Sequence, residues 1–309
     1  APGDEALLQQ LTYTSQQQGD SVAARAYARQ SIDALDAADG GVLALTAVET
    51  DTRYNLRRLH EELGRRWVLS ADLLSGSALA AAATGSNPGE RFRSYFQAEA
   101  EYRPGAGRWF ARPVLTGYAR VFAGSGEEES ALPVYSPMLA LGLRLRPLAT
   151  HDVVFAVEQQ LPLDHGPDTE ADVMLRASAT LFGGGRYSNE WQPRPAGWLT
   201  QGLYLDAAWF VEAERSVLTA DYRLGWHEKL GHGRTLEPYG HLQYSVSDDG
   251  AARSEDSRAG VGLRWHLWWG ETLYDAWPHK AVLGLEYQHA FSTALDARDS
   301  LFLTLGVRW

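Results

Sequence analysis

From Glu99 onward, acidic and basic side chains recur at every-other-residue spacing, which in an extended strand sends them to one side of the chain. Glu99, Glu101, Glu158, Asp206, Asp221 and Glu286 share that side with Arg120, Arg144, Arg146, Arg176, Arg223, Arg264 and Arg308. Enclosed charges of both signs must be paired. The set therefore reads either as ion pairs filling an interior or as the lining of a polar conduit, and not as a simple anion- or cation-selective pore.

The aromatic residues offer a second kind of chemistry. Eleven Trp and fourteen Tyr stand beside thirty Gly, two Met and no Cys. Flat rings of this kind stack on sugars or settle at a membrane interface. Tyr187, Trp191 and Trp198 lie in an irregular stretch over residues 183–198 and are candidates for glycan stacking, with ordinary packing as the equal alternative. Trp265, Trp268, Trp269, Tyr274 and Trp277 flank a short connection and read as interfacial anchors.

Signals for catalysis are poor. His227-Glu228 is followed by His232, one residue too late for the zinc-protease spacing that puts both imidazoles on one helical face. There is no nucleophile elbow, and Gly183-Gly184-Gly185-Arg186 lacks the lysine of a phosphate-binding loop. Ser188, His165 and His279 are scattered over different connections. The expectation is no catalytic residue, no metal set and no cofactor. Glu127-Glu128-Glu129 and Asp248-Asp249 read as solvated loop charges rather than cation sites shared with lipopolysaccharide phosphates. A net charge of −11 with no basic arm excludes nucleic-acid binding, and the absence of Cys excludes thiolate chemistry and disulfides.

The elements that must carry these residues change character along the chain. Ala1 to Glu5 leads into helix without a signal-peptide pattern, so the sequence reads as a mature or excised piece. Asp4 to Leu35 reads as two short helices, with Asp4 as N-cap and Gly19-Asp20-Ser21 as stop and restart. Leu7, Leu11, Val22, Ala26 and Ile32 are the expected shared apolar face. Such a hairpin is too small to stand alone and fits the last unit of a tetratricopeptide-like array. A third helix is expected from Asp51 to Arg65.

After Arg66 the period becomes two. In the last segment Leu301, Leu303, Leu305, Val307 and Trp309 form one face, against Phe302, Thr304, Gly306 and Arg308. An apolar stripe opposite polar residues suits a wall between lipid and lumen. The pattern repeats about twelve times, an even count with both termini on one side. A mean hydropathy of −0.31 is compatible with this, because lumen and lipid faces cancel. A soluble antiparallel sandwich shares the period of two, but it gives no reason for an apolar stripe on every strand or for a terminal aromatic. The stripe from Leu301 to Trp309 matches the signal read by the barrel-assembly machinery. One irregularity stands out. The long connection over 183–198 falls on the side of the short turns, so either a strand is miscounted or that loop has a task.

The fold class expected is mainly β: a transmembrane antiparallel up-and-down barrel over residues 66–309, preceded by a helical periplasmic segment over residues 1–65. Three stretches, "HDVVFAVEQQLPL" from His151, "GLYLDAAWFVEAE" from Gly202 and "AGVGLRWHLWWGETLYDAWPHKAVLGLEYQ" from Ala259, resemble the C-terminal outer-membrane barrel domain of the bacteriophage adsorption protein A (NfrA) family. "RYNLRRLHEELGRRW" from Arg53 resembles its linker helix. The resemblance implies a Gram-negative outer-membrane barrel in contact with lipid and lipopolysaccharide. It further implies exopolysaccharide export with an inner-membrane glycosyltransferase partner, and use by a phage tail protein as a receptor. A plugged barrel that anchors a helical-repeat domain is the alternative, and an outer-membrane hydrolase a distant third.

Overall fold

The computed structural model describes residues 4–37, 45–81, 91–104, 114–126, 133, 135–148, 151–164, 170–293 and 297–309. Glu127-Glu128-Glu129 and His165 lie outside the described residues.

Helices α1 (Glu5–Gln17) and α2 (Ser21–Asp36) start at Asp4 and Asp20, whose carboxylates accept from Leu7 N and Ala23 N. Both caps satisfy backbone donors that helix geometry leaves orphaned. Of the expected apolar face only Ile32 is fully buried. Ala24, Ala28, Ser31, Ile32 and Leu35 are buried on α2, whereas Leu7 and Val22 are 44% and 80% exposed. Small residues at Ala24 and Ala28 let the helices approach closely, and that outweighs the bulk of Val22. Helix α3 (Ala47–Gly64) begins earlier than expected, because Thr46 and Glu49 form a capping box. Ile32, Leu35, Ala28 and Leu56 make the small core shared by α2 and α3.

Twelve strands follow, in the number the alternation predicts: β1 (Trp67–Ala81), β2 (Arg91–Tyr102), β3 (Leu115–Ser125), β4 (Tyr135–Leu145), β5 (Asp152–Pro162), β6 (Asp172–Leu181), β7 (Gly197–Phe210), β8 (Arg215–Gly231), β9 (Arg234–Asp248), β10 (Arg253–Trp269), β11 (His279–Ser292) and β12 (Asp299–Arg308). Each pairs antiparallel with the next, and β12 returns to β1 to close the barrel. Leu305, for example, lies opposite Leu73 on one side and Leu283 on the other. Closure leaves no free strand edge, the condition for a sheet to cross lipid.

Outward positions carry large apolar side chains from strand to strand, among them Leu115, Leu143, Leu175, Leu205, Leu263 and Leu303, all at least 38% exposed. A soluble sheet would bury these; a lipid-facing wall displays them. Trp67, Trp226, Trp265 and Trp309 are also outward-facing, 40–58% exposed, and ring the end of the barrel that carries the helices. Amphipathic rings favour that depth. The expected anchors at Trp268, Tyr274 and Trp277 are corrected. Trp268 is 2% exposed inside the wall, Trp277 packs against the same inner cluster, and Tyr274 donates to Asp33 of α2 at 2.8 Å. Strand parity turns Trp268 inward, and the tertiary contact with the helices claims the other two.

Candidate functional site

The lumen is built in tiers by inward-facing residues. Toward the end farthest from the helices, two apolar clusters stand beside a buried ion pair of Arg258 with Asp256 at 2.6 Å. Tyr95, Phe122, Met138 and Ala140 cluster on β2 to β4, and Met174, Ala208, Phe210 and Val217 on β6 to β8.

The middle tier holds the charges singled out by spacing. Arg120 binds both oxygens of Glu158, at 2.6 and 2.9 Å, and Tyr118 donates to the same carboxylate at 2.8 Å. Arg144 clamps Glu99 through two bonds of 2.5 and 2.6 Å, and Arg146 reaches Glu101 at 3.2 Å. Arg176 makes a two-pronged pair with Asp206, both bonds at 2.8 Å. His241 stands between Asp221 at 3.1 Å and Glu286 at 2.6 Å. Arg223 and Arg264 lie over the ring of Tyr239, at 5.1 and 4.4 Å. The hydroxyl of Tyr239 donates to Glu286. Arg308 keeps inward parity but is exposed on the last rung of β12, apart from this network. Two-pronged guanidinium–carboxylate pairs fix geometry as well as charge.

The third tier, beside the helices, contains the irregular connection. No strand is miscounted. β6 ends at Leu181 and β7 begins at Gly197, and residues 182–196 fold onto the barrel end, where residues 185–187 make one 3₁₀ turn. Gly185 has φ +59°, a conformation open to glycine. The tip enters the lumen: Asn189 Oδ1 is 2.9 Å from His227 Nε2, and Lys280 Nζ donates to the Asn189 carbonyl at 2.7 Å. Asn189 lines a cavity of about 250 Å³ together with Asp72, Gln97, Arg223, Arg264 and His266.

This placement corrects the sugar-stacking expectation for the two tryptophans. Trp191 and Trp198 are 7% and 4% exposed. Trp191 meets Trp198, Trp268 and Trp277 edge-on at 5.6–6.3 Å, and Trp198 stacks on His227 at 4.6 Å. Protein neighbours occupy faces that a sugar would need. Tyr187, the third residue of that set, is half-buried and bonded to Arg186 at 2.5 Å.

Helix α3 clasps the segment from outside. Tyr54 donates to the Trp191 carbonyl at 2.7 Å, and Arg58 meets Glu190 at 3.3 Å. Arg57 binds Glu271 at 2.6 Å, the Asp275 carbonyl at 2.7 Å and the Thr272 carbonyl, all on the β10–β11 turn. His60 accepts from Arg25 Nε at 3.0 Å on Nε2. Its Nδ1 therefore carries the proton given to Asp275, at 2.9 Å. Burial pushes the His60 pKa below its ordinary value, which agrees with a neutral ring. Burial also raises the Tyr54 phenol to about 12, so it stays a donor. A polar cleft of about 610 Å³ runs between α3 and the segment, past Asn55, Arg58, Glu190 and Gln192.

Sequence reasoning missed His241 and the set formed by His227, Glu237 and His266, which is buried and brings its ligand-type atoms within 4.8 Å of one another. A signal was available: Glu237, Tyr239 and His241 alternate on β9 with the same parity as the charges that were found.

Comparison with known proteins places this architecture. The family model described as Bacteriophage N adsorption protein A C-term matches residues 129–305, more than half of the chain. Bacteriophage adsorption protein A of Escherichia coli (strain K12) is 45% identical over 317 residues, covering 100% of this chain and 32% of that protein. The chain thus spans about a third of the relative's length. Solved structures with similar barrels include a KdgM porin, with TM-score 0.38 and 5% identity, covering 78% of this chain and 98% of that one. Another is an outer-membrane channel from Pseudomonas putida F1, with TM-score 0.39 and 14% identity, covering 79% and 96%. The chain belongs to the bacteriophage adsorption protein A family, as an outer-membrane β-barrel of its C-terminal type.

Proposed function

We propose that the chain is a stoppered outer-membrane conduit for a surface exopolysaccharide, whose loops at the far end serve phage as a receptor. The single observation that carries this reading is the docked segment over residues 182–196. Its tip meets the lumen wall at His227 and its shaft is held by α3. A turn joining neighbouring strands needs only a few residues, and a longer one folded into the mouth and latched by a separate helix is built like a closure. On this reading the helices face the periplasm, where α3 links the stopper to a preceding helical array. An inner-membrane glycosyltransferase docking on that array would release the stopper as glycan arrives. The relative's printed name supports the receptor role.

The second reading is a permanently plugged barrel that anchors the periplasmic helices. The paired middle tier favours it, since those charges neutralise one another across the lumen. Deleting the gene tests the proposal in cells: surface polysaccharide and phage adsorption are both expected to be lost. Normal levels of both would contradict the proposal and leave the anchor.

A further inference from the structure

We infer that His227, Glu237 and His266 form a binding site for a divalent transition ion of the zinc class, which pins the stopper to the barrel wall through Asn189. The three residues lie on the adjacent strands β8, β9 and β10 and are 0%, 1% and 0% exposed. Their donor atoms already face one another: His266 Nε2 is 2.8 Å from one Glu237 oxygen, and His227 Nε2 is 3.9 Å from the other. The fourth donor comes from the stopper, where Asn189 Oδ1 is 2.9 Å from His227 Nε2. Two imidazoles, a carboxylate and an amide oxygen suit a four-coordinate zinc-like ion, with metal–ligand bonds of about 2.0–2.2 Å. Donors on such an ion lie roughly 3.3 Å apart. The Glu237–His266 hydrogen bond must therefore open by about half an ångström, and the His227–Glu237 gap must close by a similar amount.

The surroundings support ligation. Thr235 Oγ1 holds His227 Nδ1 at 2.7 Å, and Thr200 donates to Glu237 at 2.9 Å. Contacts of this kind fix ring and carboxylate orientation around a metal. Trp198 stacks on His227 with planes 12° apart, and Trp268 on His266 with planes 15° apart, which keeps bulk water from the rings. Two cations stand near, and both are engaged elsewhere: Lys280 donates to the Asn189 carbonyl at 2.7 Å, and the Arg264 guanidinium lies 4.4 Å from the Tyr239 ring centre.

A purely structural hydrogen-bonded cluster is the competing account, and direct titration separates the two. The full chain in detergent micelles is stripped with chelator and titrated with cobalt(II), then with zinc(II), following visible absorption and bound metal by mass spectrometry. The expected result is about one equivalent per chain, with the intense visible bands of tetrahedral cobalt displaced by zinc. His227→Gln and His266→Gln each lower affinity at least ~100-fold, and Asn189→Ala about tenfold. His232→Gln, which alters an exposed imidazole outside the site, changes nothing. Folded migration on unheated gels shows that each variant is intact. If the wild-type chain takes up no cobalt, or if only His232→Gln abolishes uptake, the inference is overturned. Absence of cobalt uptake by the wild-type chain overturns the inference whether or not a variant folds, and Asn189→Ala, which changes the stopper and not a strand, tests the location.

Discussion

Arg57→Ala removes the side chain that ties α3 to the β10–β11 turn. The Arg57 side chain is 6% exposed and its Glu271 partner 30%, and two turn carbonyls also depend on it. Breaking a fully buried ion pair by deleting one partner costs about 3–5 kcal/mol. Glu271 keeps a second partner, His232 at 2.6 Å, and part of its hydration, so the lower end applies, about 3 kcal/mol. That cost falls on the docked state alone, because an undocked α3 has Arg57 in water. At about 1.4 kcal/mol per decade the undocked-to-docked ratio rises roughly 100-fold, and the undocked population with it while that state stays rare. The assay is limited proteolysis of the folded barrel, followed by mass spectrometry of cuts within residues 182–196 and α3. When opening is faster than cleavage, the cutting rate tracks the open population, so cleavage is expected to rise by about two decades. Cleavage unchanged from wild type, with the barrel still folded, refutes the idea that this contact holds the clasp.

Three further outcomes are expected. Glu158→Gln removes the carboxylate that clamps Arg120 at 2% exposure and lowers barrel stability to guanidinium by about 3 kcal/mol, whereas Arg120→Met with Glu158→Met costs markedly less; equal losses would contradict the pairing. Acid should loosen the clasp. Burial holds the His60 pKa below its ordinary 6.5, so released His60 binds more protons as pH falls through that value, and docking is strongest above it and lost progressively below it. Proteolysis of residues 182–196 is then faster at about pH 5.5 than at about pH 7.5, and His60→Gln flattens the difference; a profile unaltered by that substitution counts against the tautomer assignment. Tyr54→Phe loses the bond to the Trp191 carbonyl but keeps the ring, and increases cleavage only about five- to tenfold; an effect as large as that of Arg57→Ala would shift the weight of the clasp to Tyr54.

Strand number, closure and the inward set were readable because each follows from local parity. Leu301 to Trp309 alternate whatever the rest of the chain does, and Arg120 and Glu158 face inward for the same reason. What parity cannot express is partnership across the barrel. Arg120 meets Glu158 on β5, two strands from its own β3, and His227 meets Glu237 and His266 rather than His232, the neighbour in sequence that drew attention. The fate of Trp191 and Trp198 was hidden for a related reason. An irregular segment has no period, and whether its rings meet sugar or protein depends on a helix more than a hundred residues earlier in the chain. On α1 and α2 the apolar spacing finds Ile32 but not the rest of the buried face, because bulk at Val22 counts for less than the small residues Ala24 and Ala28, whose size lets the helices touch. The start of α3 was written in the sequence as Thr46 and Glu49, three residues apart.

The central claim is that residues 182–196 close this barrel and can be withdrawn. Single-channel conductance in planar bilayers tests it most directly, comparing the wild-type chain with one in which residues 183–196 are replaced by a short Gly-Ser turn. The account predicts a wild-type barrel that is shut with rare openings, and a variant with a steady open level that saccharide chains can block. A shortened barrel that conducts no more than the wild type would contradict it and make the ion-paired lumen itself the barrier.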